Sequence, residues 1–183
     1  MIERLINWLI AVPDTASAPL PAKFASSAVR AELGLTGNQK INLYNTHAGT
    51  IKEPAIVLSA QDAGDPTDTI GAMGGGNLAT YILLATCSVY GLDPVQAKSR
   101  AALMSYSVRQ ALGEISVAAM ISDLVQTHPD TGVVMEKIVG FRALADNSRP
   151  PGGSTDDGKD VTQKGKKWTA RRVVRCEVKV WSR

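Results

Sequence analysis

The stretch from Leu78 to Leu112 constrains this chain more than any other. Tyr81, Leu83, Ala85, Cys87 and Val89 form one continuous apolar face at period two, and Ile82, Leu84, Thr86, Ser88 and Tyr90 form a mixed face opposite. Such a run predicts a long strand, buried on its first side and partly covered on its second. Gly91 ends it, Asp93 is placed as an N-cap, and Pro94 takes the first helical position. Ala97, Ala101, Met104, Val108 and Ala111 then alternate steps of four and three, the stripe of an amphipathic helix, with Lys98, Arg100 and Gln110 left to solvent. Its small residues suit close packing on a sheet better than the lining of a ligand cavity.

The flanks extend this unit into an α+β chain: a single domain over residues 1–183, with a mixed, mostly antiparallel sheet and helices on one side. Ile2, Leu5, Ile6 and Leu9 predict a short helix over 2–11, and Ala22–Leu33 a second one ended by Gly34. Lys40–Asn45 and Pro54–Ala60 carry the apolar content of two strands, paired as a hairpin across Asn45–Lys52. Residues 61–77, with five glycines and three aspartates, form a long loop. Gly113 stops or kinks the central helix, and Val117, Ala118, Ile121, Leu124 and Val125 continue the helical pattern to the turn at His128–Gly132. Val133–Leu144 is a strand, and 145–168 a second long loop rich in Gly, Pro, Asp and Lys. The last strand alternates cleanly: Val174, Cys176, Val178 and Val180 face one way, Arg171, Arg175, Glu177 and Lys179 the other. That pattern belongs to an antiparallel strand with one dry and one wet side.

A chain of 183 residues can bury a real core without staples. Cys87 and Cys176 therefore read as two reduced core thiols. The apolar run Leu5–Val12 followed by Ala16-Ser17-Ala18 mimics a secretory signal, but Glu3 and Asn7 interrupt its pattern, so an amphipathic helix is expected. No run reaches the roughly 18 apolar residues of a membrane span, and the expectation is a soluble, cytoplasmically assembled protein. The net charge of +3 is uneven: from Asp156 onward nine Lys or Arg face four acids, leaving +5 there and −2 before it. A basic end of this kind suits nucleic acid or an acidic protein surface.

Motifs that carry chemistry fail on particular residues. Gly153–Lys159 imitates a phosphate-binding loop, but Asp160 stands where a magnesium-binding Ser or Thr belongs. Gly71, Gly74, Gly75 and Gly76 lack the spacing and following helix of a dinucleotide fingerprint. Asp62, Asp65 and Asp68 lack the ligand spacing and closing glutamate of a calcium loop. His47 and His128 have no second ligand at metal-binding spacing, and no Gly-x-Ser-x-Gly elbow presents a nucleophile. Neither metal, cofactor nor catalytic residue is expected. Trp168 and Trp181 flank the basic strand and read as half-buried ends of a sheet.

The order of these elements resembles the tail terminator, or tail completion, proteins of tailed bacteriophages. The resemblance is carried by the N-terminal helix, Pro54-Ala55-Ile56-Val57-Leu58, the strand Ala79–Cys87, Asp93-Pro94 opening a helix that closes Val108-Arg109-Gln110-Ala111-Leu112, and the final hairpin. It implies a structural virion protein, six copies in a ring, that caps the tail tube and joins it to the head–tail connector. It implies as partners copies of itself, the tail tube protein, a neck protein and a sheath protein, with DNA contact only in the ring lumen. Residues 12–36, 113–132 and 145–168 exceed the compact members of that group. Expected interface residues are Gly74, Gly75 and Gly76, then Lys164, Lys166 and Lys167, and on the last strand Arg171, Arg175 and Lys179. The alternative is a small basic nucleic-acid-binding protein that uses the C-terminal Lys/Arg-rich segment.

Overall fold

The computed structural model of the chain describes residues 1–10, 19–37, 39–45, 50–63, 68–69, 76–115, 122, 124–144 and 161–183. Its frame is an eight-stranded sheet covered on one face by helices. The elements are α1 (Ile2–Ile10), α2 (Pro19–Ala25), α3 (Ser27–Glu32), β1 (Asn42–Asn45), β2 (Ala55–Asp62), β3 (Asp68–Thr69), β4 (Asn77–Gly91), α4 (Pro94–Gly113), β5 (Gln126–Thr127), β6 (Val134–Ala143), β7 (Val161–Lys164) and β8 (Lys167–Ser182). The strands lie in the order β1-β2-β4-β8-β6-β5, with β3 added to β4 and β7 to β8. The whole is a single α+β domain with a mixed, mostly antiparallel sheet.

Two long strands form the spine. β4 and β8 pair without interruption from Asn77↔Ser182 to Gly91↔Trp168. Paired residues in an antiparallel ladder share a face, so the alternation expected in each strand combines into one apolar surface. Leu83, Ala85 and Cys87 of β4, Val174, Cys176 and Val178 of β8, and Ile56 and Leu58 of β2 are all buried there. α4 lies on this surface with Ala97, Ala101, Met104, Val108 and Ala111 buried, the expected stripe. Asp93 caps it: its side chain accepts from the Gln96 amide at 2.8 Å, while Gln96 Oε1 accepts from the Leu92 amide at 2.8 Å, a reciprocal closure of the first turn. Leu5 and Leu9 of α1, Leu20 and Phe24 of α2, and Leu33 after α3 complete the core.

The structure revises several expectations. β1 and β2 are not a hairpin but a parallel pair, Asn42↔Ala55 to Asn45↔Leu58. Nine residues separate the two strands, enough chain to return alongside a four-residue strand rather than turn tightly. The return is pinned where Asn42 Nδ2 donates to the Lys52 carbonyl at 2.7 Å and the Asn42 amide to the Pro54 carbonyl at 2.9 Å. The helix expected over 22–33 begins earlier, at Pro19, and is broken at Ser26 into α2 and α3; Gly34, at φ +68°, ends it as expected. The expected loop 61–77 contains strand at Gln61–Asp62 and Asp68–Thr69. The expected loop 145–168 ends in β7, which turns back through Gly165 at φ +61° to form a hairpin with β8. Of the helical continuation after Gly113, residues 116–121 and Asp123 lie outside the described residues; Ser122 and Leu124 are helical and Leu124 is buried. Arg100 is not left to solvent: its guanidinium donates to the Tyr90 carbonyl at 3.2 Å and lies against Gly34, where a Cβ would come within 2.0 Å of Nη2.

Candidate functional site

The face of the sheet opposite α4 has no helix on it among the described residues, and it is divided in two. The half on β2 and β4 is apolar to neutral, built from Val57, Ile82, Leu84 and Thr86, all half-buried. The half on β8 and β6 is cationic. Arg171, Arg175 and Lys179 alternate along β8 on this side, with Val173 between them 47% exposed.

β6 contributes further cations through a bulge. Its register with β8 shifts between Ile138↔Val180 and Gly140↔Lys179, which leaves Val139 unpaired. Without the extra residue, simple alternation would send Lys137 and Arg142 to opposite faces. With it, Lys137 (opposite Trp181) and Arg142 (opposite Glu177) share the outer face. Gly140 lies against Lys179: a Cβ there would be 3.3–3.5 Å from the lysine's side-chain carbons. Glu177 is the acid within the stripe, with Oε2 3.6 Å from Arg142 and Oε1 3.9 Å from Lys179.

Each end of the stripe carries a cation over an aromatic ring. Lys137 Nζ is 5.4 Å from the centre of Trp181, whose ring also lies against Gly76: a Cβ on that glycine would be 2.3 Å from the indole nitrogen. At the far end Lys167 Nζ is 4.5 Å from the Tyr90 ring. Beside it, one carboxylate joins three segments: Ser88 Oγ donates to Glu53 Oε1 at 2.7 Å and Thr169 Oγ1 to Glu53 Oε2 at 2.9 Å. Here the segment before β2 folds over the outer face and buries Ala55, Ser88 and Thr169. Nothing in the sequence pointed to Glu53, since a lone glutamate before a proline carries no pattern.

The structure thus brings Arg171, Arg175 and Lys179 together and adds Lys137 and Arg142. Lys166 and Lys167 are exposed at the β7–β8 turn, and Lys164 ends β7. Gly76 buttresses Trp181, whereas Gly74 and Gly75 lie outside the described residues. So do the loop at 153–160, Asp65 and His47. Asp62 and Asp68 sit in different strands, β2 and β3. Among the described residues no three His, Cys, Asp or Glu gather as a metal site. His128 closes its own turn, its Nδ1 accepting from the Asp130 amide at 3.3 Å.

Both cysteines are free and buried. Burial pushes the Cys87 thiol from 9.0 up to about 12; the Cys176 thiol is likewise raised to about 12 by burial, against a smaller opposing pull from Arg109. Neither is a nucleophile in this state.

A second exposed surface lies on the helix side. Leu92 and Val95 are 74% and 75% exposed, and Tyr106 is 56% exposed. Val95, Ser99, Ala102 and Tyr106 fall at steps of four, three and four, so they line the outward side of α4, its small residues flanked by larger ones. Among the described residues no helix is long and apolar enough to cross a membrane. No protein-family model matches this sequence, and no curated protein matches it either.

Proposed function

We propose that this chain is a structural assembly protein rather than an enzyme, and that its copies form a ring that caps a bacteriophage tail tube and joins it to the head–tail connector. The observation that carries the reading is the set of large apolar side chains exposed on the helix side, Leu92 and Val95 at the start of α4 and Tyr106 about three turns further along it. Exposed apolar surface of this kind marks association sites. The sheet edges favour faces as the means of contact. β1 has four residues, β5 two, and β6 is bulged and carries Arg142, all devices that discourage strand-to-strand addition. A ring requires one patch to meet a different patch on the neighbour, and the exposed surface of α4 supplies one of the two.

The order of elements that resembles tail terminator proteins supports the choice of a tail ring. On this reading the partners are further copies, the tail tube protein, a neck protein and, in a contractile tail, the sheath. The protein is assembled in the host cytoplasm and resides in the virion. Sedimentation and negative-stain imaging across a wide concentration range test it. Rings that bind purified tail tubes are expected; a strict monomer that ignores tubes overturns the reading.

A further inference from the structure

We propose that the sheet face opposite α4 binds single-stranded nucleic acid, with the phosphates on the cationic half and the bases against the apolar half. The inference does not depend on the ring reading, because it rests on the composition of this face alone. From Arg171 to Lys179 the β8 half spans nine residues, about 26 Å at the rise of an extended strand. Arg171, Arg175 and Lys179 are set along it, and the β6 bulge places Lys137 and Arg142 beside them. Among the described residues the stripe itself has one acid, Glu177; Glu53 lies off its end, engaged by Ser88 and Thr169. Charge complementarity therefore calls for a polyanion.

The choice among polyanions comes from the other half of the face. On β4, Leu84 lies opposite Arg175, Ile82 opposite Glu177 and Thr86 opposite Val173, and Val57 of β2 lies one strand further out beside Thr86. A single strand offers charged backbone on one side and unstacked base faces on the other, which matches a surface split lengthwise into cationic and apolar bands. A duplex hides its bases and leaves the apolar band without a partner. An acidic protein surface would match the cations but has no general reason to carry an apolar band in register with them.

The fold also explains why the sites are held in place. The Lys179 stem packs beside Gly140 of β6, and the Trp181 ring supports Lys137 at one end. Arg172, the neighbouring arginine in sequence, has the opposite parity and belongs to the other face of the sheet. It therefore provides an internal control that net charge alone cannot mimic.

The test is fluorescence anisotropy of the full chain with a labelled 15-nucleotide oligothymidylate, the matching duplex, and polyglutamate as competitor, from 20 to 200 mM salt. Binding of the single strand is expected with a log–log salt slope of about −2 to −3.5, from up to five phosphate contacts at roughly 0.7 each. Arg171→Ser with Arg175→Ser should weaken binding roughly tenfold at low salt and make the slope shallower by about 1.4. Lys98→Ser with Arg172→Ser, the same charge loss off this face, should leave both unchanged. Glu177→Gln should tighten binding, and this gain cannot arise from a folding defect. Equal losses for the two double variants, displacement by polyglutamate at equal charge, preference for the duplex, or no binding at 20 mM salt would each overturn the proposal.

Discussion

The backbone of Gly91, the last residue of β4, lies so close to Ala97 of α4 that a methyl group on the glycine would sit 2.5 Å from the Ala97 nitrogen and 2.9 Å from its Cα. Both obstructing atoms are backbone, so no side chain can rotate away. The contact joins the central strand to the start of the helix capped by Asp93, the best-defined junction in the core. Gly91→Ala is expected to destabilise the protein by about 1–3 kcal/mol, the range for overpacking a well-fitted core. For a chain of this length that lowers the melting temperature by roughly 2–4 °C per kcal/mol, readable by calorimetry. An unchanged melting temperature would show that strand and helix can separate freely.

The Glu53 carboxylate accepts from two hydroxyls, Ser88 and Thr169, that are only 4% and 2% exposed. Glu53→Ala leaves both donors buried without their acceptor and is expected to cost about 1.5–3 kcal/mol in urea denaturation. Glu53→Gln keeps a carbonyl acceptor and should cost less. Equal costs for the two variants would show that the side-chain stem, rather than its oxygens, stabilises this corner.

Cys87 and Cys176 carry thiols raised from 9.0 to about 12 by burial. The folded state holds these protons more tightly than the unfolded chain, so their contribution to stability is complete below about pH 9 and is lost as the pH rises toward 12. A double Cys→Ala variant should therefore lose less stability than the parent between those values, although cavity formation lowers its starting point. In the native protein neither thiol should react with a thiol reagent at pH 8 until denaturant is added. Rapid native modification of either one would contradict its burial.

Leu92 and Val95 are three-quarters exposed, and Tyr106 accepts one exposed hydrogen bond from Gln110 Nε2, so serine at all three should change monomer stability by no more than about 0.5 kcal/mol per site. If the α4 stripe is an association surface, the triple variant should sediment as a monomer where the parent forms rings, a weakening on the order of tenfold or more. Undiminished assembly would move the interface elsewhere.

Much of the fold was legible in the residues alone. The period-two run before Gly91, the Asp93-Pro94 start of α4 and the alternation of Val174 to Val180 are local patterns, set by the geometry of strands and helix termini, and the structure follows them. The parallel pairing of β1 with β2 was not legible. Direction depends on which edge of β2 is left free once β4 has taken the other, and on how nine intervening residues return, and neither leaves a mark in a strand's own composition. β7 was missed because a four-residue strand gains its stability from β8 rather than from its own sequence.

The candidate surface divides in the same way. Arg171, Arg175 and Lys179 share a face by alternation, and the sequence alone determined that. Only tertiary structure brought Lys137 and Arg142 beside them, because one unpaired residue, Val139, reverses the parity of β6, and a bulge is a property of two paired strands. The apolar band was likewise decided by packing. Among the described residues the long helix α4 lies on the opposite side, where its small residues pack on the sheet.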